Sequence, residues 1–164
     1  MSRFFELLDR GVEWLVAAFL AVILMIALIQ VGNRFIINSS LSWSEEAQIF
    51  GHIWIVFLGI PIALRRDSHL YIETFCDKLP TRARLVFDVC VVLLWGAFGV
   101  SLTVLGWMVA SVAQMQESPG LEIPMSWPYG AMVVGGAYLT LVAARRLAAL
   151  LLSLIHISEP TRPY

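Results

Sequence analysis

Four long apolar runs separated by short polar breaks constrain this chain more than any other feature. They cover about residues 12–31, 47–64, 85–113 and 123–144. A bilayer core about 30 Å thick is crossed by roughly 20 apolar helical residues. Each run approaches or exceeds that length once isolated polar residues are tolerated, and the third is long enough to tilt. In water, a 164-residue chain hides only about 68–70% of its surface, so these runs would leave large apolar patches exposed. Charged residues make up 14% of the chain, against about 25% in soluble domains. A soluble enzyme and a disordered tail are therefore excluded, and a net charge of −1 gives no basic field for nucleic acid. The first run is also too long for a cleavable leader, and no small-residue cleavage site follows it. The expected fold is an all-α integral membrane protein with four transmembrane helices.

The breaks carry turn and cap residues: Asn38-Ser39-Ser40 with Ser42, Leu79-Pro80-Thr81, and Ser118-Pro119-Gly120. No internal repeat is visible. Direction follows from the cations. Arg3 and Arg10 precede the first run, and Arg65, Arg66, Lys78, Arg82 and Arg84 lie in the second connection. Arg145, Arg146 and Arg162 follow the fourth, while Arg34 alone falls in the first connection. Cytoplasmic segments hold the excess of Lys and Arg, so both termini are expected in the cytoplasm. Without Arg162 the division is still nine to one.

Within the second connection, Leu70, Ile72, Phe75, Cys76 and Leu79 recur at mostly helical spacing, with Glu73, Asp77 and Lys78 on other faces. This predicts a short amphipathic interfacial helix between spans two and three; a helix packed on a partner subunit fits the same pattern. Cys76 and Cys90 lack metal-ligand spacing and read as small apolar packing residues.

Ionisable groups inside the spans are few. Glu13 and Asp88 lie close to the cytoplasmic boundary, where each can reach water, and His52 is the one histidine at depth. His69 and His156 fall on the cytoplasmic side, so no pair of haem ligands forms at one level. The expectation is a chain with no buried charge pair, no metal site, no cofactor, no catalytic residues and no ion path of its own.

The outer segment before span two reads Ser42-Trp43-Ser44-Glu45-Glu46-Ala47. Ser42 and Glu45 have the spacing of a capping box, and acidic residues in a first turn suit the helix dipole. A docking surface for another protein is the sharper reading. The second outer turn holds Pro119, Pro124 and Pro128, with Trp127 and Tyr129 suited to the lipid boundary. It is either a rigid connector or a recognition element.

Trp43-Ser-Glu45-Glu46-Ala, Trp54, Leu58-Gly59, Ala63-Leu64-Arg65, His69, Leu79-Pro80 and Ser118-Pro119-Gly-Leu-Glu-Ile-Pro124-Met-Ser-Trp127-Pro-Tyr129 occur in that order. Together they resemble the DctQ-type small membrane subunit, or Q subunit, of tripartite ATP-independent periplasmic (TRAP) transporters, over about residues 5–150. The resemblance implies a multi-pass protein of the bacterial inner membrane. It also implies a secondary transporter importing organic acids, in which a periplasmic binding protein (P subunit) captures substrate. A large membrane subunit (M subunit) then carries the transport path and the coupling-ion sites, and the small subunit scaffolds it. Trp43, Glu45, Glu46, Arg65, His69, Pro119, Pro124 and Trp127 are the positions the resemblance marks for subunit contact or docking.

Residues 153–164 depart from the family's short charged tail. They read as adapter or vector read-through appended to a domain of residues 1–152, with an ordinary divergent tail as the other reading. Two other functions remain open at this point. One is a stand-alone four-helix multidrug exporter using Glu13, although such exporters are shorter and lack the charged connection. The other is a membrane anchor outside transport.

Overall fold

The computed structural model describes residues 3–38, 41–66 and 81–157. They form four helices: α1 (Arg3–Gly32), α2 (Ser42–Arg65), α3 (Thr81–Ala113) and α4 (Ser126–Ile157). Each is long and apolar enough to cross a membrane. The four spans expected from the sequence are thus present, with shifted ends. The interfacial helix expected between spans two and three, with His69 and Cys76, lies outside the described residues.

Helix α1 starts at Arg3 instead of near Val12. Its first turns carry Asp9 and Glu13, which find partners on other helices. Its far end widens into a π-helical segment, Asn33–Ile37, closed by Asn38. Asn38 takes a left-handed conformation (φ 55°) and donates its N–H to Asn33 O, a common way to end a helix. Helix α4 begins at Ser126 instead of Ile123, because residues 117–124 fold back on themselves. Glu117 and Pro124 pair as an antiparallel bridge, and Met125 N–H reaches Gln116 O at 2.8 Å. Pro128 then falls in the first turn of α4, where its missing donor breaks no helical bond. The helix continues past Arg145 and Arg146 to Ile157.

Packing is sequential in space: α1 on α2, α2 on α4, and α4 on α3. Among the described residues no substantial packing joins α1 to α3, so the helices make an open row, with α2 and α4 inside. Two neighbouring glycines let α4 serve two partners at once, because successive residues point about 100° apart on a helix. Gly135 faces α2, where an added Cβ would lie 2.5 Å from Phe57 O. Pro61 explains why that carbonyl is available: it has no N–H to offer the residue four positions back. Gly136 faces α3, where an added Cβ would lie 2.8 Å from Gly99 O. At Gly99, in turn, an added Cβ would lie 2.6 Å from Thr140 Oγ1. Close backbone approach through small residues is a main source of helix association in lipid.

The buried cluster Leu64, Val92, Tyr138, Leu139, Val142 and Ala143 lies between the same helices. Outward-facing residues on the edge helices are large and apolar, among them Trp14, Leu20, Leu28, Leu94, Val104 and Trp107. Cys90 was expected as a packing residue, but it is exposed on α3. Its apolar character fits a surface that meets lipid or protein as well as a core.

Candidate functional site

The row is fastened at each end by a buried or half-buried carboxylate. At one end Glu46, in the first turns of α2, reaches the turn between α3 and α4. Its Oε2 accepts from Ser118 Oγ at 2.5 Å and from the backbone N–H groups of Gly120 and Leu121, both at 3.0 Å. Ser118 is 2% exposed, and its Oγ also accepts from Leu121 N–H at 3.2 Å. Gly120 leaves room here, since an added Cβ would sit tightly, 3.0 Å from the Glu46 carboxylate. Glu122 follows with a positive φ of 54°, completing a turn closed by Ser118 N–H on Ile123 O and Glu122 N–H on Ser118 O. A carboxylate on several backbone donors makes strong charge-assisted bonds, so α2 and the α3–α4 turn form one unit.

The expected capping box is not built. Leu41 is the N-cap and no side chain caps the helix, because Ser42 already lies within the first turn. Ser44 turns inward instead and donates its hydroxyl to Leu41 O at 2.7 Å. Of the two carboxylates the sequence offered, Glu46 is tied down and Glu45 is exposed. Pro119 and Pro124 sit on the outer surface of the turn that Glu46 holds, and Trp43 and Trp127 are exposed at the starts of α2 and α4. Nearby, Gln48 Nε2 donates to Gln30 Oε1 at 2.7 Å, linking α2 to α1.

At the other end Asp9 of α1 is 4% exposed and gathers three partners. Tyr138 of α4 donates its hydroxyl to Oδ1 at 2.8 Å. Arg65 of α2 approaches Oδ2 at 2.8 Å, and Arg145 of α4 at 3.2 Å. One turn along α1, Glu13 pairs with Arg65 and, at 3.0 Å, with Arg66. Arg145 also stacks over Phe5, 4.4 Å from the ring centre, and Arg146 donates to Leu64 O at 3.1 Å. Buried Arg65 Nε has no hydrogen-bond partner among the described residues.

This overturns the expectation that no charge pair is buried. The charges share partners, since Asp9 meets both Arg65 and Arg145 while Arg65 also meets Glu13. It also corrects the reading of Glu13, whose partners are arginines across the helix row and not merely water. Arg65 was singled out by the sequence and Ser118 was noted only as part of the outer turn; Asp9 and Tyr138 were not singled out. One sign was available for Asp9. It lies four residues before Glu13, so both carboxylates share a helix face at the end where the arginines collect.

Along α2, Glu46 and Arg65 are about 28 Å apart at 1.5 Å per residue, close to the roughly 30 Å of a hydrocarbon core. His52 lies between them on an exposed side of α2, its Nδ1 2.7 Å from Gln48 O. Of the eight positions marked for docking, the structure joins Glu46 with the turn of Pro119 and Pro124, leaves Arg65 at the opposite end, and does not describe His69. Among the described residues no group of three His, Cys, Asp or Glu side chains is placed to hold a metal ion.

Comparison with known proteins gives a consistent picture. Residues 23–153 match the family described as tripartite ATP-independent periplasmic transporters, DctQ component. The chain is 29% identical over 158 residues to the sialic acid TRAP transporter small permease protein SiaQ of Vibrio cholerae, covering 94% of this chain and 89% of that protein. It is 24% identical over 106 residues to the C4-dicarboxylate TRAP transporter small permease protein DctQ of the same organism, covering 65% of this chain and 46% of that one. Over 96 residues it is 32% identical to the isethionate TRAP transporter permease protein DctMQ of Oleidesulfovibrio alaskensis. That match takes in 53% of this chain but 14% of the longer protein.

Proposed function

This chain belongs to the DctQ family of TRAP transporters, as a small permease subunit, and from that premise we propose that it scaffolds a large membrane subunit during cation-coupled uptake of organic acids. The observation that carries the scaffold reading is the way polar chemistry is used. Asp9, Glu13, Arg65, Arg66 and Arg145 are engaged in fastening helix ends to one another. Glu46 fastens the opposite end in the same manner. Between the two ends the outward faces of the edge helices are mostly apolar, which suits a rigid body. A stand-alone exporter working through Glu13 is disfavoured, because Arg65 and Arg66 hold that carboxylate.

The substrate class rests on relatives. Those described above are named for sialic acid, C4-dicarboxylates and isethionate, all of them organic acids. A partner of much greater length is suggested by the isethionate relative, in which sequence like this chain occupies a small part of one permease. We place the arginine-rich end in the cytoplasm of a bacterial inner membrane by the distribution of cations. The turn held by Glu46, with Pro119, Pro124, Trp43 and Trp127 around it, then faces the periplasm, where a substrate-binding protein would dock. Arg65 belongs to the internal fastening instead.

Co-expression with the cognate large permease subunit, followed by affinity purification in mild detergent, tests the reading. The two chains are expected to purify as a stable complex. Failure of the large subunit to accompany this chain would contradict the assignment.

A further inference from the structure

We infer that the face of α2 formed by Ile49, His52 and Val56 is the surface on which the large membrane subunit packs, an inference that rests on the small-permease reading above. His52 lies about 9 Å along the helix from Glu46, inside the span that Glu46 and Arg65 bound. Ile49 and Val56 share its side of the helix. All three are exposed, whereas Gly51 and Leu58 are buried.

The imidazole is the reason this face needs a neighbour. Its contact with Gln48 O requires the proton on Nδ1, because a carbonyl only accepts. In the neutral ring Nε2 is then a bare acceptor, and it has no partner among the described residues. Ionisable side chains within spans almost always face protein or a water-filled cavity; this one points out of the row. The outward hydroxyls of α3 make no such demand. Ser101 and Ser111 on α3 donate to Ala97 O and Met108 O of their own helix. On α1, the outward residues at middle depth, including Leu20, Leu24 and Leu28, are apolar.

A protein helix therefore covers His52, offering a hydrogen-bond donor such as a hydroxyl or a carboxamide to Nε2. Small or apolar side chains beside that donor would meet Ile49 and Val56. The large subunit is the occupant because, in the isethionate relative, sequence like this chain is continuous with a far longer permease. That places the two side by side in one membrane.

A photoreactive benzophenone residue placed at Ile49 or at Val56 in the full chain, co-expressed with the cognate large subunit, tests this. Irradiation is expected to join the two chains from both positions. His52→Leu should lower recovery of the large subunit about five- to tenfold, as expected for one lost hydrogen bond. His52→Gln, which keeps an acceptor, should restore part of it. Adducts between two copies of this chain would overturn the proposal. So would adducts to the large subunit from Leu94 and Val104 on α3 with none from α2. If no complex forms at all, the small-permease reading falls with it; if the complex forms and only other faces crosslink, the surface assignment alone is wrong.

Discussion

Glu45 and Glu46 are adjacent and chemically alike, yet only Glu46 has work in the fold. A helix turns about 100° between them, which carries one carboxylate to the α3–α4 turn and leaves the other in solvent. Glu46→Gln keeps an acceptor but removes the charge that suits three donors at once. It should lower the thermal unfolding midpoint in detergent by a few degrees, with Glu45→Gln close to the unaltered protein. Equal effects would mean that Glu46 is no more than a surface charge. The sequence made these residues visible through their place at a helix start, but not which of them matters. That choice depends on where a turn more than seventy residues away comes to lie. Asp9 was hidden for a related reason: a carboxylate near a boundary is unremarkable until arginines from two other helices converge on it. Arg65 was legible through the resemblance, although its partners were not.

At the scale of elements, the four apolar runs announced four helices, because an apolar run of about 20 residues crosses hydrocarbon as a helix that satisfies its own backbone. Their ends were less legible. The start of α1 and the pushed-back start of α4 follow from tertiary partners and from the fold of residues 117–124, neither of which shows as apolar periodicity. The order of packing was not legible either, though Gly135-Gly136 in the fourth span was a sign of close contact on two sides. Gly135→Ala would bring a methyl group against the Phe57 carbonyl, forcing α2 and α4 apart. We expect a loss of about 1–3 kcal/mol, the usual range for overpacking, read from unfolding in mixed micelles. Gly130→Ala, whose added Cβ would meet nothing closer than Trp54 at 3.9 Å, should be nearly neutral. If the two variants unfold alike, the close approach at Gly135 does not hold the row together.

For the whole molecule, an open row differs from a closed bundle in what it leaves outside. A closed bundle of four helices turns much of its apolar surface inward; this chain keeps large apolar residues on both edge helices and an imidazole on one face. Polar fastening at both ends, about a bilayer thickness apart, makes such a row stiff without a wide core. Stiffness with exposed apolar sides suits a part that holds another, and the family to which the chain belongs is one of multi-part transporters. We propose that this subunit is required for transport but has no path of its own. Uptake of a labelled organic acid into proteoliposomes under a cation gradient, with the binding protein supplied outside, measures it directly. Vesicles holding this chain alone should take up nothing, those with the large subunit alone little, and those with both should accumulate the acid. Gradient-driven accumulation by vesicles holding this chain alone would contradict the account.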